Sequence, residues 1–158
     1  MVYQLVGNCG VGKTWVMLQL LNQGNYKPYK FGLWRFMRDG NKVIVGKYDG
    51  SVFQGSDKMA MNIASQFDMF NQVVKQKGWL VLVEGDRFMN NSFRNTFNPT
   101  VIKINGDGLN GRLLRGTNQN TQHLKRINTR VNNYQSDFTF SSSNHCLEYL
   151  EQIWKEYN

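Results

Sequence analysis

Val2-Tyr3-Gln4-Leu5-Val6, followed at once by Gly7-Asn8-Cys9-Gly10-Val11-Gly12-Lys13-Thr14, is the stretch that decides the fold. The first five residues read as a buried strand, and they deliver the chain into a loop of the form GxxxxGKT. Residues 12–22 (GKTWVMLQLLN) then carry apolar side chains at helical spacing, and Gly24 stops the helix. Strand, glycine loop and helix are contiguous, and that context turns a pattern into a prediction of a phosphate-binding loop. Glycines let the backbone turn its N–H groups inward around phosphate oxygens. The helix starting at Gly12 points the positive end of its dipole at the same anion. Gly7, Asn8, Cys9, Gly10, Val11, Gly12, Lys13 and Thr14 are therefore the expected ATP-binding set. Lys13 should reach the β- and γ-phosphates, and Thr14 should place its hydroxyl on Mg2+.

Outward from this stretch, two β-rich runs, Tyr29 to Met37 and Lys42 to Tyr48, flank Arg38-Asp39-Gly40-Asn41. Asp-Gly between such runs signals a hairpin, which in a plain βαβ sheet would be an insertion after the first helix. Residues 50–56 read as a loop. Residues 57–77 read as a helix with Met59, Ile63, Phe67, Phe70 and Val74 on its buried stripe. Trp79 to Val83 is a second buried strand and Thr100 to Ile104 a third. Residues 109–134 are polar, basic and helical in parts, Phe138 to Phe140 is a short last strand, and 144–157 is a closing helix after a Ser-rich cap. Strands alternating with helices predict an α/β fold of the P-loop NTPase class: a mostly parallel sheet flanked by helices, with the hairpin inserted. The 158 residues fit one domain, 1–158, with a basic lid-like segment at about 108–134.

Three further sets of residues carry chemistry. In LVLVEGD, Leu80 to Asp86, four apolar residues end in acid, as a second nucleotide-binding strand does. Glu84 and Asp86 both qualify to hold magnesium, since ligands bind at the carboxyl ends of strands in open α/β sheets. Arg87 can pair with either acid or contact the acceptor. Asp57, in Gly55-Ser56-Asp57-Lys58-Met59, lies at a loop-to-helix junction. It has two readings: an N-cap, or a general base that orients an acceptor hydroxyl. A phosphate acceptor needs no base, so a poised Asp57 favours an alcohol acceptor. Asp49 is a weaker candidate of the same kind. Finally, residues 112–130 hold Arg112, Arg115, Lys125, Arg126 and Arg130 and no acid. Arg112 and Arg115 are three apart and share a helical face. That face can close over the γ-phosphate and neutralise transition-state charge. The same segment also reads as a solvated basic helix, and His123 as an ordinary surface histidine.

Composition bounds the rest. The formal net charge of +8 fits either a lysine-rich solvated surface or a polyanionic partner such as nucleic acid. Two prolines and fifteen glycines give no sign of a disordered linker, and no internal repeat is found. No apolar run reaches the roughly 18 residues of a membrane span, and residues 1–6 lack the basic start of a signal peptide, so the expected location is the cytoplasm. Cys9 and Cys146, the two cysteines, lack a neighbouring ligand cluster for zinc and fit a reducing compartment as free thiols.

Taken together, GNCGVGKT, the VGKYDG…FQGSDKM block, LVEGDRF and the RLLRGTNQ…LKRINTRVNN stretch resemble small P-loop kinases encoded by bacteriophages. They look like the group that includes the 5-hydroxymethyluracil DNA kinases of phages with hypermodified DNA. The resemblance covers residues 5 to about 133, while residues 134–158 match no motif. It implies phosphorylation of the 5-hydroxymethyl group of a pyrimidine already in DNA, with ATP as donor. It also implies Lys13 and Thr14 at the phosphates, Asp57 near the acceptor, and arginines of residues 112–130 in a lid. A base in a duplex must be flipped out to reach such a site, and Phe53, Trp34 or Tyr48 could stack on it, although each also reads as core. Two other expectations compete: a kinase for free nucleosides or nucleotides, and a regulatory protein that binds nucleotide without transferring phosphate.

Overall fold

The computed structural model describes residues 1–116 and 119–157, with the backbone but not the side chain of Arg115. Its centre is β1 (Val2–Gly7), buried along its whole length, as befits a parallel strand covered on both faces. The other strands are β2 (Lys27–Phe31), β3 (Trp34–Asp39), β4 (Lys42–Val45), β5 (Leu80–Glu84), β6 (Thr100–Ile104) and β7 (Phe138–Phe140). They form a seven-stranded sheet in the order β2-β3-β4-β5-β1-β6-β7. The pairs β4–β5, β5–β1, β1–β6 and β6–β7 are parallel; β2–β3 and β3–β4 are antiparallel. The architecture is thus α/β with a mostly parallel sheet flanked by helices.

Helices α1 (Lys13–Asn22) and α6 (Ser143–Glu156) cover one face, burying Val16, Met17 and Leu20 against Cys146, Leu150 and Trp154. Helices α2 (Phe67–Lys77) and α3 (Asn91–Phe97) cover the other through a cluster of rings. Trp34 is its hub, stacked on Phe70 at 3.9 Å between ring centres and on Phe88 at 5.7 Å. The remaining two helices, α4 (Leu109–Arg115) and α5 (Thr121–Asn133), make up the basic segment. Ile127 and Val131 of α5 pack on Val6, Met89 and Val101. Gln4, buried in mid-sheet, is satisfied on both sides: its amide donates to the Phe88 carbonyl at 2.8 Å, and its Oε1 accepts from the Tyr134 hydroxyl at 2.9 Å. Among the described residues no helix is long and apolar enough to cross a membrane.

In the first half of the chain the structure differs from the sequence expectations in three places. The run Tyr29 to Met37 is two strands, because Gly32 takes φ 55° and turns the chain between β2 and β3. The expected hairpin exists as β3–β4, but β4 also pairs in parallel with β5, so the region is a meander that widens the sheet rather than an appendage. Residues 57–77 are a one-turn 3-10 helix at Ser56–Lys58, another at Ile63–Gln66, and then α2. All five stripe residues are nevertheless buried. Apolar periodicity reports which residues face the core, not whether backbone hydrogen bonding is continuous.

Candidate functional site

β1 is flanked by β5 on one side and β6 on the other, so the chain crosses over it between those two strands. A crevice forms at the carboxyl ends of strands where connections diverge in this way. Here it is a cavity of about 550 Å3. Gly7, Cys9, Gly10, Val11, Gly12, Lys13 and Thr14 line it together with Phe53, Asp57 and Glu84 to Arg87. Gly111, Leu114, Gln119, His123 and Ile127 close it from the basic segment.

The glycines of the loop have distinct tasks. Gly12, at φ 101°, makes the turn into α1, where a side chain would be strained and would meet Ser143 at 2.8 Å. Gly10, at φ 88°, lies against the start of α4: a Cβ there would stand 2.9 Å from the Arg112 nitrogen and closer still to the Gly108 carbonyl oxygen. Gly108 and Gly111 return the contact, each touching loop backbone where a methyl group would overlap it. The loop and α4 therefore meet backbone to backbone. Asn8 extends this joint, its amide donating to the Gly106 carbonyl at 2.7 Å and to Asn128 Oδ1 at 3.0 Å.

The Lys13 ammonium donates to the carbonyls of Gly7 at 2.7 Å and Asn8 at 2.9 Å, which holds it at the mouth of its own loop. The Thr14 hydroxyl donates to Glu84 Oε1 at 3.2 Å. Glu84 is only 4% exposed, and with burial its charge helps push the Tyr48 hydroxyl well above the usual tyrosine range. Glu84 and Asp86 are both in the cleft but differ in partners. Glu84 meets Thr14, whereas Asp86 pairs with Arg130 at 3.0 Å, and Arg130 also donates to the Met89 carbonyl at 2.6 Å. The cause is Gly85, at φ 97°, which turns the chain out of β5 so that the two acids no longer share a strand. Arg87 donates to the Met59 carbonyl at 3.4 Å and lines the same cleft.

Asp57 is the middle residue of the Ser56–Lys58 turn and lines the cleft; the N-cap position belongs to Gly55. Ser56 is buried against Gly85, which couples that turn to the end of β5. Asp49 faces elsewhere. Hydrogen bonds from Ser51 hold its carboxyl below the usual range, with a smaller contribution from Lys58 at 3.9 Å. Arg112 donates to the carbonyls of Cys9 at 2.9 Å and Asp107 at 2.6 Å, so its guanidinium braces the glycine loop. The Arg115 side chain lies outside the described residues.

Of the three aromatic candidates for stacking, Trp34 is fully buried in the ring cluster, and Tyr48 is half-buried with its hydroxyl on the Val45 carbonyl. Phe53, 44% exposed, lines the cleft. His123 also lines it, which sequence reasoning had assigned to ordinary surface. The contacts that sequence reasoning missed are Arg130 on Asp86 and Ser143 on Gly12. No spacing rule links residues that distant, although Ser143 does follow the Ser-rich cap of α6. No family model, characterised protein or solved structure matches the chain.

A magnesium-bound nucleoside triphosphate fits this donor set. Magnesium takes one or two carboxylates and leaves its other positions to water and substrate phosphate. Thr14 and Glu84 supply one hydroxyl and one carboxylate, and no cluster of three or more metal-ligating side chains occurs among the described residues.

Proposed function

We propose that the protein is a P-loop kinase that transfers the γ-phosphoryl group of ATP to an alcohol, the 5-hydroxymethyl group of a modified pyrimidine, 5-hydroxymethyluracil, in DNA. The observation that supports the reading is that Asp57, the glycine loop and the hydrogen-bonded Thr14–Glu84 pair all line one cleft. Bound magnesium would be held by Thr14 and Glu84 and would draw charge from the phosphate oxygens. Lys13 moves from loop carbonyls to the β- and γ-phosphates, a short swing of one flexible side chain. Asp57 accepts the proton as the acceptor oxygen bonds to the γ-phosphorus and the bond to the β–γ bridging oxygen breaks, releasing ADP. Arg112 keeps the Cys9 carbonyl turned away from the phosphates, which leaves loop N–H groups to face them. Arg87, which lines the cleft, adds positive charge where the transition state gains negative charge. Phe53, exposed in the lining of the same cleft as Asp57, offers its ring to an extruded base.

The test is transfer of label from γ-labelled ATP to DNA containing 5-hydroxymethyluracil, compared with the free nucleoside and with unmodified DNA. The reading expects label in modified DNA alone. Label in the free nucleoside instead would make the chain a monomer kinase. Nucleotide binding with no transfer to either would make it a regulatory nucleotide-binding protein.

A further inference from the structure

The net charge of the chain is not spread evenly. Between Lys27 and Lys47 stand six cations (Lys27, Lys30, Arg35, Arg38, Lys42 and Lys47) and one acid, Asp39, so six less one leaves a local net +5, equal to that of residues 112–130. The meander β2–β4 carries most of them to the edge of the sheet. β2 is the edge strand, and its residues Lys27 to Lys30 are all exposed.

The register makes this arrangement costly. Across the β2–β3 ladder, Lys27 stands opposite Arg38 and Lys30 opposite Arg35. Like charges directly opposite destabilise a strand pair. Neither of the ion pairs Lys58–Asp49 and Arg130–Asp86 involves these four cations. Arg38 instead lies over the rings of Tyr29 at 4.6 Å and Trp79 at 5.5 Å, and Arg35 donates to the Gly32 and Trp34 carbonyls. Edge lysines and Pro28 do guard an open edge against strand addition. An acid facing each arginine would guard it equally well and remove the repulsion, so edge protection does not account for two cationic rungs.

We propose that the β2–β3 ribbon is a docking surface for the phosphate backbone of duplex DNA. DNA is chosen among polyanions on the strength of the kinase reading above. The Lys30–Arg35 rung lies toward the sheet end that bears the glycine loop. There Gly46 donates to the Arg35 carbonyl at 2.8 Å, and the chain continues through Lys47 to the Asp57 turn. The Lys27–Arg38 rung lies three residues further away, ~10 Å at the rise of a strand. That distance spans about three phosphates of each DNA strand. Because side chains alternate across the ribbon, the two rungs point to opposite faces. β3 also pairs with β4, so the ribbon is the outer edge of the sheet, and a duplex lying along that edge meets cations from both faces.

Charge reversal tests this cleanly. In Lys27→Glu/Lys30→Glu each new carboxylate faces an arginine across the ladder, so the fold should melt no earlier than wild type. Affinity for a short duplex, followed by fluorescence anisotropy over a salt series, should fall more than tenfold at low salt. The slope of log affinity against log salt should drop by about 2. Lys27→Gln/Lys30→Gln should move both quantities in the same direction by less, and covers the case in which the reversed protein does not fold. Unchanged affinity and slope in both variants would overturn the proposal. So would single-stranded DNA that binds as tightly as duplex with the same response. Failure of the kinase reading is separable: wild-type protein that binds duplex with this slope but transfers no label leaves the docking surface standing.

Discussion

Gly111 gives the sharpest test of the joint between the glycine loop and the basic segment. It lies inside α4, with ordinary helical backbone, between Asn110 and Arg112. Helix propensity alone says that Gly111→Ala should stabilise the protein by about 1 kcal/mol. The structure says the opposite. A Cβ there would stand 2.7 Å from the Gly10 carbonyl carbon and 2.9 Å from its Cα, closer still to its oxygen, where ordinary contact begins at 3.4 Å. The obstacle is backbone on both sides, so loop and helix must part by on the order of 1 Å, a misplacement that can cost roughly a hundredfold in rate. Overpacking typically costs about 1–3 kcal/mol, which cancels or exceeds the helical gain. Thermal melts and titration with a fluorescent ATP analogue should therefore show no stabilisation and weakened nucleotide binding. Asn110→Ala, at an exposed neighbour, should change neither. If Gly111→Ala raises the melting temperature and leaves nucleotide binding intact, α4 does not rest on the loop and the joint is wrong.

Lys13→Ala should leave the fold intact and abolish transfer; a rate within tenfold of wild type, about 1.4 kcal/mol of barrier, would remove the kinase reading. Asp57→Asn should lower turnover by about a hundredfold or more, the usual loss for a general base, with melting temperature and DNA affinity unchanged; unchanged turnover would assign it a structural role. Arg112→Ala should weaken ATP binding as well as turnover, because the Cys9 carbonyl it holds is part of the loop; an effect on turnover alone would place it at the transition state instead. Burial pushes the Cys146 thiol up to about 12. The folded state then holds a proton that the unfolded chain releases above about pH 8.5, so stability should fall as pH rises from there, and Cys146→Ala should flatten that limb in melts between neutral and alkaline pH.

The parts of the fold that were legible in the sequence are those whose cause is local. β6 and β7 occupy Thr100–Ile104 and Phe138–Phe140 as expected, since each is a short apolar or aromatic run bounded by polar residues. α6 follows its serine cap, with the Ser142 side chain accepting from His145 N–H. α3 was not foreseen, although Asn90 caps it at 2.8 Å and Phe93 and Phe97 share its buried face. Seven residues are too few for periodicity to stand out from a loop. The β2–β3 turn was hidden for the reverse reason: Phe31-Gly32-Leu33-Trp34 reads as continuous strand until the register shows Phe31 pairing with Trp34 across it.

The site divides along the same line. The loop and its helix single out Lys13 and Thr14 from local pattern alone, and the structure sets both in the cleft. Nothing local separates Glu84 from Asp86, which stand two apart and carry the same charge. Their roles are set by Gly85, whose positive φ sends Asp86 toward α5, and by Arg130, which waits there 44 residues along the chain. The basic segment behaves likewise. As sequence, Arg112 and Arg130 belong to one acid-free run, and helical spacing treats them as equivalent cations. In the fold, one braces the Cys9 carbonyl of the glycine loop and the other neutralises an acid at the end of β5. Each arginine therefore ties the segment to a different part of the cleft lining, the glycine loop for Arg112 and the end of β5 for Arg130.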